Sequence, residues 1–408
     1  MAANELNFNQ VSTLLNQVQE QATGQKAITA TNTKDFVACA TATLKTGYDN
    51  VFNAISQVLG STIFSVRPYS RKFKGLENSE MGYHNHTRKL AVADLGSVDS
   101  DPYKWPSCYD GSKTGKEDGN GQSVDQYPIR KNKVLQTNVY GQNVYSDYYT
   151  IFRDQLDVAF KSPDEMARFW GMLVQNHSDL LEQWREDTAR ACLVNFIGGV
   201  IDEGQEGRVI HLLTEYNALN GGKLTAQDVY KPANFANFMS FVAARIGTVS
   251  QMMTERSVQY QTTVNGLIVP RHTPVTDQRL FVLTSAMKYS QAMAMPTIFH
   301  DNMVNAAQGI DATEYVNFWQ SIKTPDSINV EASRIGTDGT VTTKGTATEQ
   351  SGIFAVLLDR EAAGYAPCGG WTSPTPFNAR GGYTNFWVHE REKVWNDHTE
   401  KGVVFLLN

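Results

Sequence analysis

At 408 residues the chain has length for two or three domains' worth of core, and its 41% apolar, 11% aromatic and only 19% charged residues point to surface that ends up covered, by the chain itself or by other subunits. A net charge of −6 with no basic stripe excludes the usual sequence-reading nucleic-acid binder, whose affinity comes from neutralising phosphates. Cys39, Cys108, Cys192 and Cys368 lie too far apart for a CxxC pattern, which suggests neither a zinc site nor a disulfide framework; the first residues do not read as a signal peptide, and no run of about 18 apolar residues could span a membrane.

Residues 5–22 carry Leu6, Val11, Leu14, Leu15 and Val18 at helical spacing, and Thr23-Gly24 ends the pattern. A helix with so narrow an apolar face is marginal alone and needs something to lie against, in the chain or on a neighbour. A second helical stretch runs from Lys34 to about Leu59 and ends at Gly60. Thr62 to Val66 reads as a strand. The densest basic segment follows, with Arg67, Arg71, Lys72 and Lys74, and reads as a solvated or interfacial strand. Residues 75–132 are polar and rich in Gly, Asp, Ser and Asn, and loops this long are rare inside compact domains. Strand character resumes at Val134 to Tyr140 and continues from Val144 to Phe152, so the region predicts a large hairpin projecting from the body.

Ser162-Pro163-Asp164-Glu165 combines an N-cap serine, a proline at the first helical position and a glutamate at the third. Met166, Phe169, Leu173, His177, Leu180, Trp184, Thr188, Ala191 and Asn195 then recur in steps of three and four. This predicts a helix over 163–197, roughly 50 Å long, with Gly198-Gly199 as its stop. Further on, a helix begins at Pro232, a strand spans Arg279 to Leu283, and Ser285 caps a short Met-rich helix ending before Pro296. Tyr315 to Ile322 is an apolar stretch, 336–352 a Gly/Thr-rich loop, and Ile353 to Leu358 a buried-type strand. The C-terminal region reads as strands over Tyr383 to Arg391, Glu392 to Trp395 and Gly402 to Leu407, with a turn at Asn396 to Thr399. No repeat is present, and the class is α+β.

The search for chemistry finds little. Gly111 to Lys116 has three residues between its glycines where a phosphate loop needs four, and Glu117 follows where a hydroxyl is required. Asp118 to Gln122 opens like a calcium loop, but Ser123 and Ile129 stand where Gly and a bidentate Glu belong. His84 and His86, with Cys108 as the near third ligand, are better read as solvated loop residues than as a metal site. Glu390 and Glu392 alternate on one strand face and could pose as an acid/base pair, but Arg391 and Lys393 beside them favour a solvated or salt-bridged face. No nucleophile elbow or zinc-protease motif occurs, and no cofactor is expected.

The order of elements resembles the Hong Kong 97-type capsid fold, most closely the phi29-like capsid proteins of small podoviruses. Phe354 to Asp359, the aromatic segment Tyr365 through Tyr383, the strand from Tyr383 to Trp395 and the apolar end Val403 to Leu407 carry the likeness, along with Lys34 to Gly47. The resemblance implies an N-terminal arm (1–60), an extended E-loop hairpin (61–150), a peripheral domain with a spine helix (151–205), an axial domain with a central sheet (206–358) and return strands (359–408). Unlike larger relatives, the sequence shows no immunoglobulin-like domain after these.

It implies a major capsid protein that self-assembles, as pentamers and hexamers, into the icosahedral head shell around a tailed phage's double-stranded DNA. Such a protein is not an enzyme and belongs to the virion after synthesis in the bacterial host cytoplasm. Its partners would be other copies, a portal, scaffolding or cement proteins where these are used, and DNA held without sequence reading. The hypothesis for lateral contact is that the hairpin lies over a neighbour's spine helix, with Arg67, Arg71, Lys72 and Lys74 pairing there with acids such as Asp164, Glu165, Glu182 or Glu186. Deleting about 78–130 should then leave a folded protein that cannot assemble. The competing readings are an enzyme, for instance a carbohydrate-active one using its Trp and Tyr residues, or another virion component. Residues 61–150 are expected to find their burial partners on other copies. A stretch folded back onto its own body, around a pocket of acids or histidines, counts against that.

Overall fold

The computed structural model describes residues 8–24, 29–61, 71–78, 86–95, 127, 129–140, 143–284, 313–343 and 345–408. The predicted strand at Thr62 to Val66, Arg67, His84, Cys108, the phosphate-loop and calcium-loop look-alikes up to Ser123 and the helix after Ser285 lie outside the described residues.

The elements follow in chain order. Helices α1 (Phe8–Thr23), α2 (Thr33–Leu44) and α3 (Tyr48–Ser61) come first, then strands β1 (His86–Val92), β2 (Val134–Tyr140) and β3 (Asn143–Phe152). Next are α4 (Arg153–Ala159), α5 (Pro163–Glu203), β4 (Val209–His211), α6 (Leu212–Asn220) and α7 (Pro232–Thr254). The remainder is β5 (Gln278–Leu283), β6 (Thr313–Val316), β7 (Ile328–Val330), β8 (Ser333–Ile335), β9 (Val341–Thr343), β10 (Thr348–Gln350), β11 (Ile353–Asp359), β12 (Ala363–Pro374), β13 (Tyr383–Asn396) and β14 (Gly402–Leu406).

Helix α5 is the organising element. Ser162 caps it through Glu165 N–H at 3.2 Å, Pro163 occupies its first turn, and at about 1.5 Å per residue its 41 residues span roughly 60 Å. Its first half gives Met166 and Trp170 to one core, and its second half gives Ala189, Leu193, Phe196, Ile197 and Val200 to another. The helix is longer than predicted because Gly198 and Gly199 do not stop it. A Cβ on Gly198 would sit 2.6 Å from Val330, and one on Gly199 2.3 Å from the His398 ring. These glycines serve close packing, and the helix ends at Gly204 in the left-handed conformation.

The first core resolves what the N-terminal helix lies against. Val11, Leu14, Leu15 and Val18 of α1 meet Phe36 and Cys39 of α2, Val51, Phe52 and Ile55 of α3, and Ile151, Leu156, Trp170 and Phe386 of the same chain. The predicted single helix over 34–59 is two, with a break at Lys45 to Gly47 where Gly47 has φ of 104°.

The second core surrounds a five-stranded sheet in the order β4-β14-β11-β5-β6. Every residue of β11 is buried, as its unbroken apolar run requires. A separate three-stranded antiparallel sheet runs β12-β13-β3, with the 14-residue β13 in the middle. Here the structure corrects two readings. β13 is continuous to Asn396, and the segment after Tyr365 is mostly strand β12, bent by a register shift between Pro367 and Gly370. The predicted loop at 336–352 also contains the short strands β9 and β10.

Candidate functional site

The basic segment predicted to reach a neighbour lies against its own chain. Phe73 and Leu76 are buried in the second core, and the backbone of Asn78 bonds to Tyr365. Arg71 pairs with Glu77 and with Glu182 on α5, and its Nε donates to the Tyr365 hydroxyl at 2.9 Å. Glu182 is shared with Arg185, one turn along α5, which also reaches Glu392 at 3.1 Å and Glu390 at 3.7 Å on β13. Glu390 and Glu392 are therefore the salt-bridged face the sequence favoured. Burial pushes the Glu392 carboxyl up to about 7, against the pull of Arg185.

Glu186 is buried, accepts the Lys72 backbone N–H at 3.1 Å and pairs with Arg190 at 2.5 Å. Arg71 and Glu182, expected among the groups that pair between copies, meet within one chain, and Glu186 too is engaged internally. Lys74 and Asp164 are exposed, while Glu165 is half-buried with Arg168 at 3.8 Å. Residues 71–78 correct the expectation for 61–150, because their burial partners are in the same polypeptide.

The hairpin formed by β1 and β2 also touches its own body. Val92 pairs with Val134 and His86 with Tyr140, so Thr87, Lys89, Ala91, Leu135, Thr137 and Val139 face one way. Thr87, Lys89, Thr137 and Val139 line a crevice of about 820 Å³ shared with Arg271, His272, Asp359, Glu361, Lys393, Asp397 and Glu400. Lys89 Nζ lies 2.8 Å from Glu361 and 3.3 Å from Asp397, and also pairs with Glu400. The buried Lys393 ammonium donates to Thr87 at 2.7 Å. This is the converging charge set that would count against a container if nothing else were known. Its charges form one network, however, in which Lys89 is held by three acids and Arg271 shares Glu400 with it, and among the described residues no group of three or more His, Cys, Asp or Glu could hold a metal ion.

The opposite face of the hairpin is the one sequence reading missed. Leu90 is 63% exposed and adjoins Val92 and Val134 at one end of the ladder, while Tyr140, 71% exposed, stands at the other end beyond Arg88 and Asn138. The signal was the alternation in Lys89 to Val92, read with the apolar side outward instead of inward. A second outward face lies on the three-stranded sheet, where Tyr148 lies tilted against Trp387 at 4.8 Å and Trp371 stacks on His389 at 4.7 Å, with Arg391 4.4 Å over Trp371. Those contacts occupy ring faces that a sugar would need, which weakens the carbohydrate-active reading. Beside α5, a groove of about 620 Å³ runs between Asp147, Tyr149, Asp154, Val158, Glu165, Phe169, Leu173 and Leu180.

Compared with known families, residues 13–406 match the model of the Phi29-like phage major capsid protein. The chain belongs to that family. This capsid protein has an HK97-like mixed helix and sheet fold and builds the head shell from many copies, as a component of the virion. It is similar to a chain in the capsid structure of Staphylococcus phage Andhra, with 10% identity, a TM-score of 0.53, and coverage of 84% of this chain and 85% of that one. A chain from the structure of the head fiber and inner core protein of bacteriophage P68 shares 11% identity at a TM-score of 0.50, covering 85% of this chain and 87% of that one. At such identity the likeness is one of fold. No curated protein sequence matches the capsid protein.

Proposed function

We propose that neighbouring copies of this capsid protein join through the outward face of the β1–β2 hairpin, which lies across the α5 region of the next copy. The observation that carries this is the exposure of Leu90, Val92, Val134 and Tyr140 on a strand pair already seated on its body. Leu90, Val92 and Val134 adjoin at one end of that face, with Tyr140 at the other beyond Arg88 and Asn138, and adjoining exposed apolar side chains mark a surface that is covered in the working state. The receiving region is open and acidic. The groove beside α5 carries Asp147, Asp154 and Glu165 against Arg168 and His177, with Asp164 exposed nearby, while Arg88, Lys131 and Lys133 stand exposed on or next to the hairpin. Lys74, and Arg67 before it, would extend the basic side of this contact. Arg71, Lys72, Glu182 and Glu186 would support it from within the subunit. A contact between two different patches is heterologous, and such contacts close into rings, which suits pentamers and hexamers.

On this reading the chain is a structural protein without catalytic activity or cofactor, made in the host cytoplasm. Its lobes correspond to the arm, E-loop, peripheral, axial and return segments at 1–60, 61–150, 151–205, 206–358 and 359–408. The shell is icosahedral, encloses double-stranded DNA, and meets a portal at one vertex. A net charge of −6 suits a container that must release a polyanion.

The test is the full chain carrying Leu90→Asp and Tyr140→Asp. Surface substitutions of this kind change stability within about 0.5 kcal/mol. The variant is therefore expected to keep its circular dichroism and melting temperature but yield no closed particles by negative-stain imaging. Normal shells from it would refute the proposal. A 78–130 deletion is a poorer test, because it also removes Lys89 from Asp397 and Glu400.

A further inference from the structure

The hairpin is seated on its body mainly by charge. Its apolar contact there is small, a cluster of Ala91, Ala93 and Val269 with Leu135 and Leu267 beside it. Against this stand Lys89 among Glu361, Asp397 and Glu400, Lys393 on Thr87, and Arg256 3.0 Å from Asp94. Asp397 and Glu400 are buried, and the other cation on Glu400 is Arg271 at 3.1 Å. Burial alone would lower the Lys89 ammonium pKa, but Asp397 and Glu400 hold it above the ordinary lysine range. Lys89 is thus the main counter-charge that the hairpin brings to a buried acidic pair.

The ground beneath is a polar crevice of about 820 Å³, not a sealed core. If the hairpin lifts, water can reach the charges on both sides, so opening forfeits little apolar burial. A seat of that kind fixes direction without locking it. It is also sensitive to salt, because screening weakens partly exposed ion pairs such as Lys89 with Glu361.

We propose that Lys89, inserted between Asp397, Glu400 and Glu361, is an electrostatic clasp that sets the angle of the β1–β2 hairpin and so pre-aims its outer face at the next copy. The proposal rests on the lateral-contact reading above. Pre-aiming removes ordering that would otherwise oppose association. Because the outer face is open while the clasp is closed, the clasp favours assembly and does not block it.

The test compares the wild-type full chain with Lys89→Met and Lys89→Arg by residue-resolved hydrogen exchange at low protein concentration. The Asp94 N–H bonds to Ile268 O at 2.7 Å, from the loop end of the hairpin to the body, and reports the seat; the Ala93 N–H bonds to Lys133 O at 2.8 Å, within the hairpin, and is the internal control. In Lys89→Met, exchange at Asp94 is expected to rise about tenfold while Ala93 is unchanged. Raising salt should speed Asp94 exchange more in the wild type than in Lys89→Met, where the exposed Arg256–Asp94 pair remains to be screened, and Lys89→Arg should behave as wild type. Particles from Lys89→Met should be irregular or fewer.

Unchanged Asp94 exchange, or shells of normal size and yield from Lys89→Met, would overturn the clasp. If Lys89→Met does not fold, Glu400→Gln takes its place, since it keeps an acceptor for Lys89 and Arg271 while removing one of the two buried charges that hold the ammonium; the same two outcomes decide. The Leu90→Asp, Tyr140→Asp variant separates the two ideas. If it fails to assemble while Lys89→Met assembles normally, only the clasp is wrong. If it assembles normally, the lateral contact itself is wrong.

Discussion

Glu392 shows how far one side chain's setting departs from what its neighbours in sequence imply. Between Arg391 and Lys393 it looks like a surface charge, yet it is fully buried, with one carboxylate oxygen on Arg185. The groups facing it are Arg185 from α5, Arg71 from the basic segment, Tyr365 from β12 and Glu390 on its own strand, with Glu182 and Glu77 behind them as partners of the two arginines. With its folded-state pKa pushed up to about 7, above the ordinary glutamate value, the folded protein binds this proton more tightly than the unfolded chain does. The stability this contributes is fully present below the unfolded value, near pH 4, and is lost as pH rises through 7, a change on the order of 1 kcal/mol or more. Glu392→Gln keeps an acceptor for Arg185 and removes the titration. Its melting temperature should match the wild type near pH 5 and equal or exceed it at pH 8 in a thermal-shift series. A variant much less stable than wild type at pH 8 would show that Arg185 prefers the carboxylate. Buried charges such as Glu392, Lys393 and Lys401 were not legible in sequence, because burial of a charge depends on a partner hundreds of residues away.

At the level of elements, α5 was legible at its start and not at its end. Its cap, proline and apolar spacing are local, and the structure repeats them from Pro163. Its end depended on what packs beside it. Gly198 and Gly199 look like a stop, but they are glycines because Val330, Ala332 and His398 press on the helix there. Gly199→Ala should therefore destabilise the protein by about 1–3 kcal/mol through overpacking, seen as a melting temperature several degrees lower. Gly171 in the same helix has open space where a Cβ would stand, with nothing within 4 Å, so Gly171→Ala should be neutral or stabilising by up to about 1 kcal/mol. Equal losses from the two substitutions would contradict the packing explanation. The break between α2 and α3 was hidden for a related reason, since Gly47 with its positive φ sat inside a run that otherwise keeps helical spacing.

For the whole molecule, the order of elements carried the α+β capsid fold, and the match over residues 13–406 agrees with it. Which surfaces face other copies was harder to read. Complementary charge set Arg71 and its basic neighbours against acids of another copy, while Arg71 meets Glu182 within one chain, and sequence carries no mark that distinguishes the two kinds of partner. A hairpin was expected over 61–150, but its first strand, His86–Val92, lies inside the stretch read as loop. The hairpin's seat on Lys89 was not foreseen, because the acids that receive it lie in the turn around Asp397 to Glu400.

A cryo-electron microscopy map of the assembled wild-type shell, at a resolution that shows side chains, examines the central claim most directly. The expected result is that Leu90, Val92, Val134 and Tyr140 are covered by a neighbouring copy near its α5 groove, with Lys89 still between Asp397 and Glu400. A closed shell in which those four side chains remain in solvent would contradict the account.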